Sequence, residues 1–378
     1  MSVGRTRLEE LVEESQRMLA ICNACRYCEG YCAVFPALER RLEFGEGDVH
    51  YLANLCHNCG ACLYACQYAP PHEFQLNFPR ALAQVRKETY RKYAWPRFFA
   101  RAFDANGGVV SISIAIAIAT LFILMAGLGD AGAFFSAHSD AQGAFYAVMP
   151  HEVMAGAFGA VFLFVGVSLG VSLVKFWVDT GEDIGGMAEP RSLAEATRDA
   201  AALRYLDGGG EGCNETAAEP AAGRRAFHHL AFYGFMLCFA STAVATIYHY
   251  VFGIRAPYPM WSLPVILGTL GGIGLLVGPL GLMGLRGRRD PDLGDPSQSG
   301  MDQGFLVLLL LLGATGLALL VFRETQAMGV LLAIHLGVVL AFFVTMPYGK
   351  FVHGLYRFAA LVRFHLERRR PLPAIGSE

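Results

Sequence analysis

From residue 109 onward the chain alternates long apolar runs with short polar connections. Six runs, at 109–128, 152–177, 226–252, 261–285, 301–322 and 326–348, each approach the roughly 20 residues that a helix needs to cross about 30 Å of hydrocarbon. The pattern before them is different. Residues 1–20 read as an acidic amphipathic helix without the apolar centre of a signal peptide. Residues 78–101 are basic and aromatic, which suits a helix lying among headgroups ahead of the first span. The expected organisation is a small helical domain over 1–77, a basic interfacial linker over 78–108, and a six-helix transmembrane domain over 109–378, with a polar loop at 179–225.

Composition and charge support a membrane protein. Apolar residues make up 54% of the chain, above the usual share of a soluble domain. A net charge of -2, with no basic surface interleaved with aromatics, argues against nucleic-acid binding. Lys and Arg are distributed unevenly between the two sets of loops. The loop at 129–151 has none, and the two others on that side have only Arg255 and Arg323. The opposite side carries Arg86, Lys87, Arg91, Lys92, Lys175, Arg224, Arg225, Arg286, Arg289, Lys350 and Arg357, among others. The asymmetry assigns both chain ends and the cysteine-rich segment to the cytoplasm.

Eight of the 10 cysteines lie between Cys22 and Cys66. They form two runs of identical spacing, Cys22-x2-Cys25-x2-Cys28-x3-Cys32 and Cys56-x2-Cys59-x2-Cys62-x3-Cys66, related residue by residue at an offset of 34, with Pro36 matched to Pro70. An internal duplication explains this. Three closely spaced cysteines wrap three corners of a cubane, and in two-cluster ferredoxins the fourth cysteine of each run serves the other cluster. The expected ligand sets are therefore Cys22, Cys25, Cys28 and Cys66 for one [4Fe-4S] cluster and Cys56, Cys59, Cys62 and Cys32 for the other. Zinc sites use two separated pairs, not two runs of four. Ala33 and Gln67 stand where the usual pattern has proline, so the turn beyond each run should differ. His57 is read as a neighbour of the second cluster, Cys238 as a small core residue, and Cys213 is unassigned.

Ionisable residues inside a span are costly and mark function. His228 or His229 begins the third span, His249 ends it, His335 lies within the sixth and His353 follows it. On one continuous helix, the 18 residues from His335 to His353 make five turns, or about 27 Å, with both rings on one face. Pro347 is the position at which a kink would spoil that phase. The expected arrangement is bis-histidine haem, of one or two groups, with His249 and His335 toward the outer side and His228 (or His229) and His353 toward the cytoplasm. No C-x-x-C-H is present, so the haem would be b-type. His151, Arg255 and Tyr258 are candidate neighbours of a quinone on the outer side. The short interfacial histidines also suit a plain headgroup role.

The segments ICNACRYCEGYC, LCHNCGACLYACQYAPP, FYAVMPHEVM, KFWVDTG, LRYLDGGGEGC, FHHLAFYGFMLCFAST, ATIYHY and MPYGKFVHGLYRFAAL resemble the tricarballylate utilization protein B family, also called the citrate-utilization B type. The last of them is also similar to the final haem helix of nitrate reductase gamma-type cytochromes. The resemblance implies a multi-pass protein of the bacterial cytoplasmic membrane. Such a protein takes electrons from the reduced FAD of a partner tricarballylate dehydrogenase and sends them through clusters and haem to quinone. It implies an oxidoreductase component without its own organic substrate site. No G-x-G-x-x-G joins a strand to a helix, and Gly271, Gly272 and Gly274 fit close helix contact instead. The alternatives are a module for another flavoprotein, such as a cobalamin-pathway monooxygenase, or a heterodisulfide-reductase-like enzyme, which would want further cysteine-rich motifs.

Overall fold

The computed structural model describes residues 6–128, 131–137, 143–216 and 220–371. Among the described residues the regular structure is helical, and the β-type pairing is a single isolated bridge between Cys213 and Ala221. Among these residues six helices are long and apolar enough to cross a membrane: Asn106–Gly127, His151–Asp179, Gly223–Phe252, Leu263–Arg286, Pro296–Phe322 and Met328–Tyr348. The fourth starts later than the apolar run because Pro264 occupies its first turn, where a missing N–H leaves no bond unmade. The third and fourth spans approach most closely. A Cβ on Gly271 would stand 2.8 Å from the Gly234 carbonyl oxygen, and one on Gly274 would stand 2.9 Å from the Gly234 Cα. Only glycine permits that contact. Cys238 fills the same seam, against Gly271.

The polar segments gather at one end of the bundle. The cysteine-bearing residues meet the loop between the second and third spans, where the Asn214 N–H donates to the Cys59 carbonyl at 2.8 Å. They also meet the turn between the fourth and fifth spans, where the Asn77 side-chain amide donates to the Asp292 carbonyl at 2.8 Å. Within the first of these loops, helix Pro190–Ala201 is capped by Glu189, whose carboxylate accepts the Ser192 N–H at 2.6 Å.

Two expectations are corrected here. The segment at 78–108 was expected among headgroups, but its main helix, Phe78–Tyr93, is capped by Asn77 and buries Leu82, Val85, Tyr90 and Tyr93 in the core of the cysteine-bearing domain. Its cationic residues are accommodated by protein acceptors: Arg86 Nε donates to the Ala53 carbonyl at 2.7 Å. Basic amphipathic helices that face protein and those that face headgroups carry the same pattern, so the distinction is not local. The short 3-10 segment Arg97–Phe103 that follows does expose Phe98 and Phe99.

The second correction concerns His335 and His353, which do not share a helix. The sixth span passes into a 3-10 turn, Met346–Tyr348, containing Pro347, and Gly349 is extended. A new helix, Val352–Arg369, then runs into the polar end. Proline removes an N–H and crowds the preceding turn, so the phase between the two histidines is lost. The final helix buries Tyr356, Ala360, Leu361 and Phe364 in the same core as Leu52, Leu82 and Trp177. Its charged residues form a buried lattice with the N-terminal region. Arg41 pairs with Glu367, and with Asp48 at 2.6 Å. Arg363 pairs with Glu367 at 2.9 Å and lies over the Tyr51 ring at 4.2 Å.

Candidate functional site

The two cysteine runs begin at helix ends, as their spacing requires. Cys22 and Cys25 occupy the last turn of helix Arg7–Cys25, three residues apart and so on one face. Arg26 then turns left-handed at φ 54° and ends the helix. The matched residue 34 positions on, Gly60, is also left-handed, at φ 86°. The duplication is therefore visible in the backbone after the second cysteine of each run. It is not carried further back, because Cys56 caps helix Glu46–Leu55 with extended backbone, and Asn58 has φ 54°. Gly60 also has no room for a side chain: a Cβ would stand 2.5 Å from the Asn214 carbonyl oxygen.

Cys22, Cys25, Cys28, Cys62 and Cys66 line one cavity of about 230 Å³. Burial and the neighbouring Cys66, Cys28 and Cys25 push the Cys22 thiol up to about 12. Burial with Cys66 and Cys25 does the same to Cys28. Desolvation, with Cys59 and Cys56 beside it, raises the Cys32 thiol well above the usual thiol range. It does the same to Cys62, with Cys59, Cys56, Cys32 and Cys28 nearby. The fourth cysteine of each run thus stands with the first three of the other. Thiols that oppose one another's ionisation are the donor chemistry that a bound iron centre stabilises as thiolates. Among the described residues no three His, Cys, Asp or Glu side chains converge as they would on a single ion. The sulfurs of the first set line the cavity described above, which offers the thiolate donors that a multinuclear iron-sulfur centre takes.

The loop of the second run is held by three guanidinium groups. Arg357 donates to the Cys56 carbonyl at 2.9 Å. Arg224 and Arg289 both donate to the Asn58 carbonyl, at 2.7 and 2.9 Å. Burial, then the nearby Arg86, lowers Arg357 to about 10. Cys213 is buried next to Cys59, with its thiol pushed up to about 11 by burial. His57 is buried too, with Nδ1 2.9 Å from the Leu55 carbonyl. Burial, reinforced by Arg357, holds its pKa well below the ordinary imidazole range.

His228 and His353 come together, with ring centroids 6.2 Å apart and planes at 74°. Two metal–nitrogen bonds of about 2 Å each, with half a ring at either end, span about that distance. His353 Nδ1 lies against the Lys350 carbonyl, an arrangement that leaves Nε2 free for a metal. His228 Nδ1 is buried without a hydrogen-bond partner. His229 lies beside Tyr233, with ring centroids 5.8 Å apart. His335 Nδ1 is 2.9 Å from the Thr315 hydroxyl, again leaving Nε2 available. His249 is engaged differently: it stacks on His151 with centroids 3.8 Å apart and planes at 14°, and its Nδ1 is 3.4 Å from the Tyr146 hydroxyl. Among the described residues no ring contact joins His249 to His335. Tyr258 donates its hydroxyl to the Ala245 carbonyl at 3.0 Å.

Arg224 and Arg357 were not singled out from sequence, yet each lies four residues from a paired histidine, in Arg224-x3-His228 and His353-x3-Arg357. That one-turn spacing was the available signal.

A helical cysteine-rich domain seated on six apolar helices defines a multi-pass membrane protein with a ferredoxin-like iron-sulfur domain and an electron-transfer role. The chain belongs to the citrate utilization protein B family. It matches that family over residues 107–374 and the family's Fer4-like domain over residues 15–92. It is 52% identical to the citrate utilization protein B of Escherichia coli over 364 residues, covering 96% of this chain and 94% of the relative. No solved structure matches it.

Proposed function

We propose that the chain is the membrane electron-transfer subunit of a two-component oxidation. Its partner is an FAD-dependent dehydrogenase of the tricarballylate type, and its acceptor is membrane quinone. The E. coli relative is named for citrate utilization, which accords with a partner acting on a related tricarboxylate. Cys22, Cys25, Cys28 and Cys66 hold one [4Fe-4S] cluster, and Cys56, Cys59, Cys62 and Cys32 hold the other. His228 and His353 hold a b-type haem, with His335 and His249 as candidates at a second. These groups, when bound, supply one-electron carriers. The protein spans a bacterial cytoplasmic membrane, with the clusters and both chain ends on the cytoplasmic side. Quinone approaches the outer end, near His151, Arg255 and Tyr258.

One observation carries this reading. Arg224 and Arg357, each one turn from a histidine of the facing pair, donate directly to the Asn58 and Cys56 carbonyls of the second cysteine loop. The candidate cluster loop and the candidate haem ligands are thereby joined through two side chains. The test is haem reduction in membranes supplied with reduced flavoprotein, compared with a Cys59→Ser variant. The variant should reduce haem far more slowly. Equal rates would remove the clusters from the path.

A further inference from the structure

The two cysteine sets stand in unequal surroundings. Cys22, Cys25, Cys28 and Cys66 are all partly exposed. Tyr27, between two of them, is 70% exposed. The charged residues inside the first run are Arg26 and Glu29, both open to solvent, where opposite charges are screened and largely offset each other. In the second run Cys56 and Cys59 are each 7% exposed, Cys32 and Cys62 are partly exposed, and the cations around them are half-buried or, for Arg86, buried, whereas Arg26 is open to solvent. Arg357, Arg224 and Arg289 hold the Cys56 and Asn58 carbonyls. Arg86, itself buried, binds the Ala53 carbonyl three residues earlier. Among the described residues Glu215 is the carboxylate in direct contact with them, 3.6 Å from Arg224 and 3.2 Å from Arg289, while Asp302, paired with Arg286 and Lys350, is a more distant counter-charge to both. Arg357 Nε and one terminal nitrogen of Arg86 are buried with no hydrogen-bond partner.

Positive charge held partly out of water in excess of its counter-charge is costly. A cubane ligated by four thiolates is anionic and becomes more so with each added electron, so surplus cations nearby favour its reduced state. Burial acts in the opposite direction, disfavouring added negative charge, but here the enclosing groups are themselves the cations. Solvent, by contrast, screens whatever Arg26 contributes to the first set.

We propose that the two centres have unequal reduction potentials, with the higher one at Cys32, Cys56, Cys59 and Cys62, where Arg357 and its neighbouring guanidinium groups stabilise the added electron. Electrons therefore enter at the set of Cys22, Cys25, Cys28 and Cys66 and leave from the other. The step moves one electron: the first centre is oxidised by one as the second is reduced by one, with no bond made or broken and no proton transferred. The higher set is also the one whose loop is bonded to the arginines beside His228 and His353, so the reduction potential rises in the same direction as the contacts lead. Arg357 acts here as a positioning residue through its charge. This ordering rests on the iron-sulfur reading above, but not on the haem.

The experiment is a redox titration of the purified full chain, with its clusters, followed by electron paramagnetic resonance. Two separable potentials are expected. Cys25→Ser should perturb the lower one. Arg357→Gln, which keeps a donor for the Cys56 carbonyl and loses the charge, should shift the higher one downward and leave the lower one in place, whereas Arg357→Lys should stay near the wild type. If Arg357→Gln does not assemble, Arg289→Gln carries the same expectation. A single shared potential, a Cys25→Ser effect on the higher potential, or an Arg357→Gln protein with both potentials unchanged would overturn the ordering while leaving the clusters intact. A wild-type protein with no iron-sulfur signal would instead remove the reading on which it rests.

Discussion

His228 and His353 face each other with ring centroids 6.2 Å apart, although 125 residues separate them in sequence. Two ligands of one haem are not independent, so losing either should cost as much as losing both. His228→Ala and His353→Ala should show the same haem deficit by pyridine haemochrome, with acid-labile sulfide unchanged, and the double variant should be no worse. His335→Ala should remove haem from a different site. Full haem content in all three would end the assignment.

Two cubanes require about eight iron atoms and eight sulfides per chain. Elemental and sulfide analysis of anaerobically purified protein should approach that ratio. Zinc at about one or two per chain, with no broad visible absorbance, is the contrary result.

Gly60 combines a left-handed φ of 86° with a would-be Cβ 2.5 Å from the Asn214 oxygen. Ala at that position should cost at least about 1–2 kcal/mol from the backbone alone, with more from displacement of the loop that carries Asn214. Gly30→Ala is the control, since a Cβ there meets nothing within 4 Å. Thermal midpoints in detergent should fall clearly for the first and little for the second.

His50 is buried with Nδ1 2.7 Å from the Tyr93 hydroxyl and 3.3 Å from the Asp179 carboxylate. Burial, with Lys92 nearby, lowers its pKa from the usual 6.5. Because the unfolded chain then binds the proton more readily, stability is full above about pH 6.5 and declines as pH falls from there toward the depressed folded value. Denaturation profiles at pH 7.5 and 5.5 should differ in that direction, and by less in His50→Gln. An equal difference in the two proteins would show that another group carries the pH dependence.

The spans and the ferredoxin-like domain were legible because each depends on a local signal: unbroken apolar length for the helices, and cysteine spacing for the domain. The relationship between His335 and His353 was not, although its cause, Pro347 followed by Gly349, is written in the chain. A helical count assumes continuity, and whether a proline bends a helix or ends it depends on what receives the next segment. Here that is the pocket formed by Tyr51, Leu52, Tyr90 and Trp177. The burial of Arg86 likewise depends on the Ala53 carbonyl, from a different helix. The stacking of His249 on His151 depends on how the second and third spans meet, which no periodicity states.

The helix that begins at Val352 is bonded into the N-terminal region through Arg41, Asp48, Arg363 and Glu367. In addition, Arg40 donates to the Arg370 carbonyl at 2.7 Å. The cysteine-bearing domain is thus clasped to the final helix, which continues directly from the sixth span. It is not a ferredoxin on a tether, free to swing between a donor and an acceptor. Any carriers it holds keep fixed separations, so internal transfer should respond to distance and driving force and be insensitive to solvent viscosity, which would then slow only the encounter with a soluble donor.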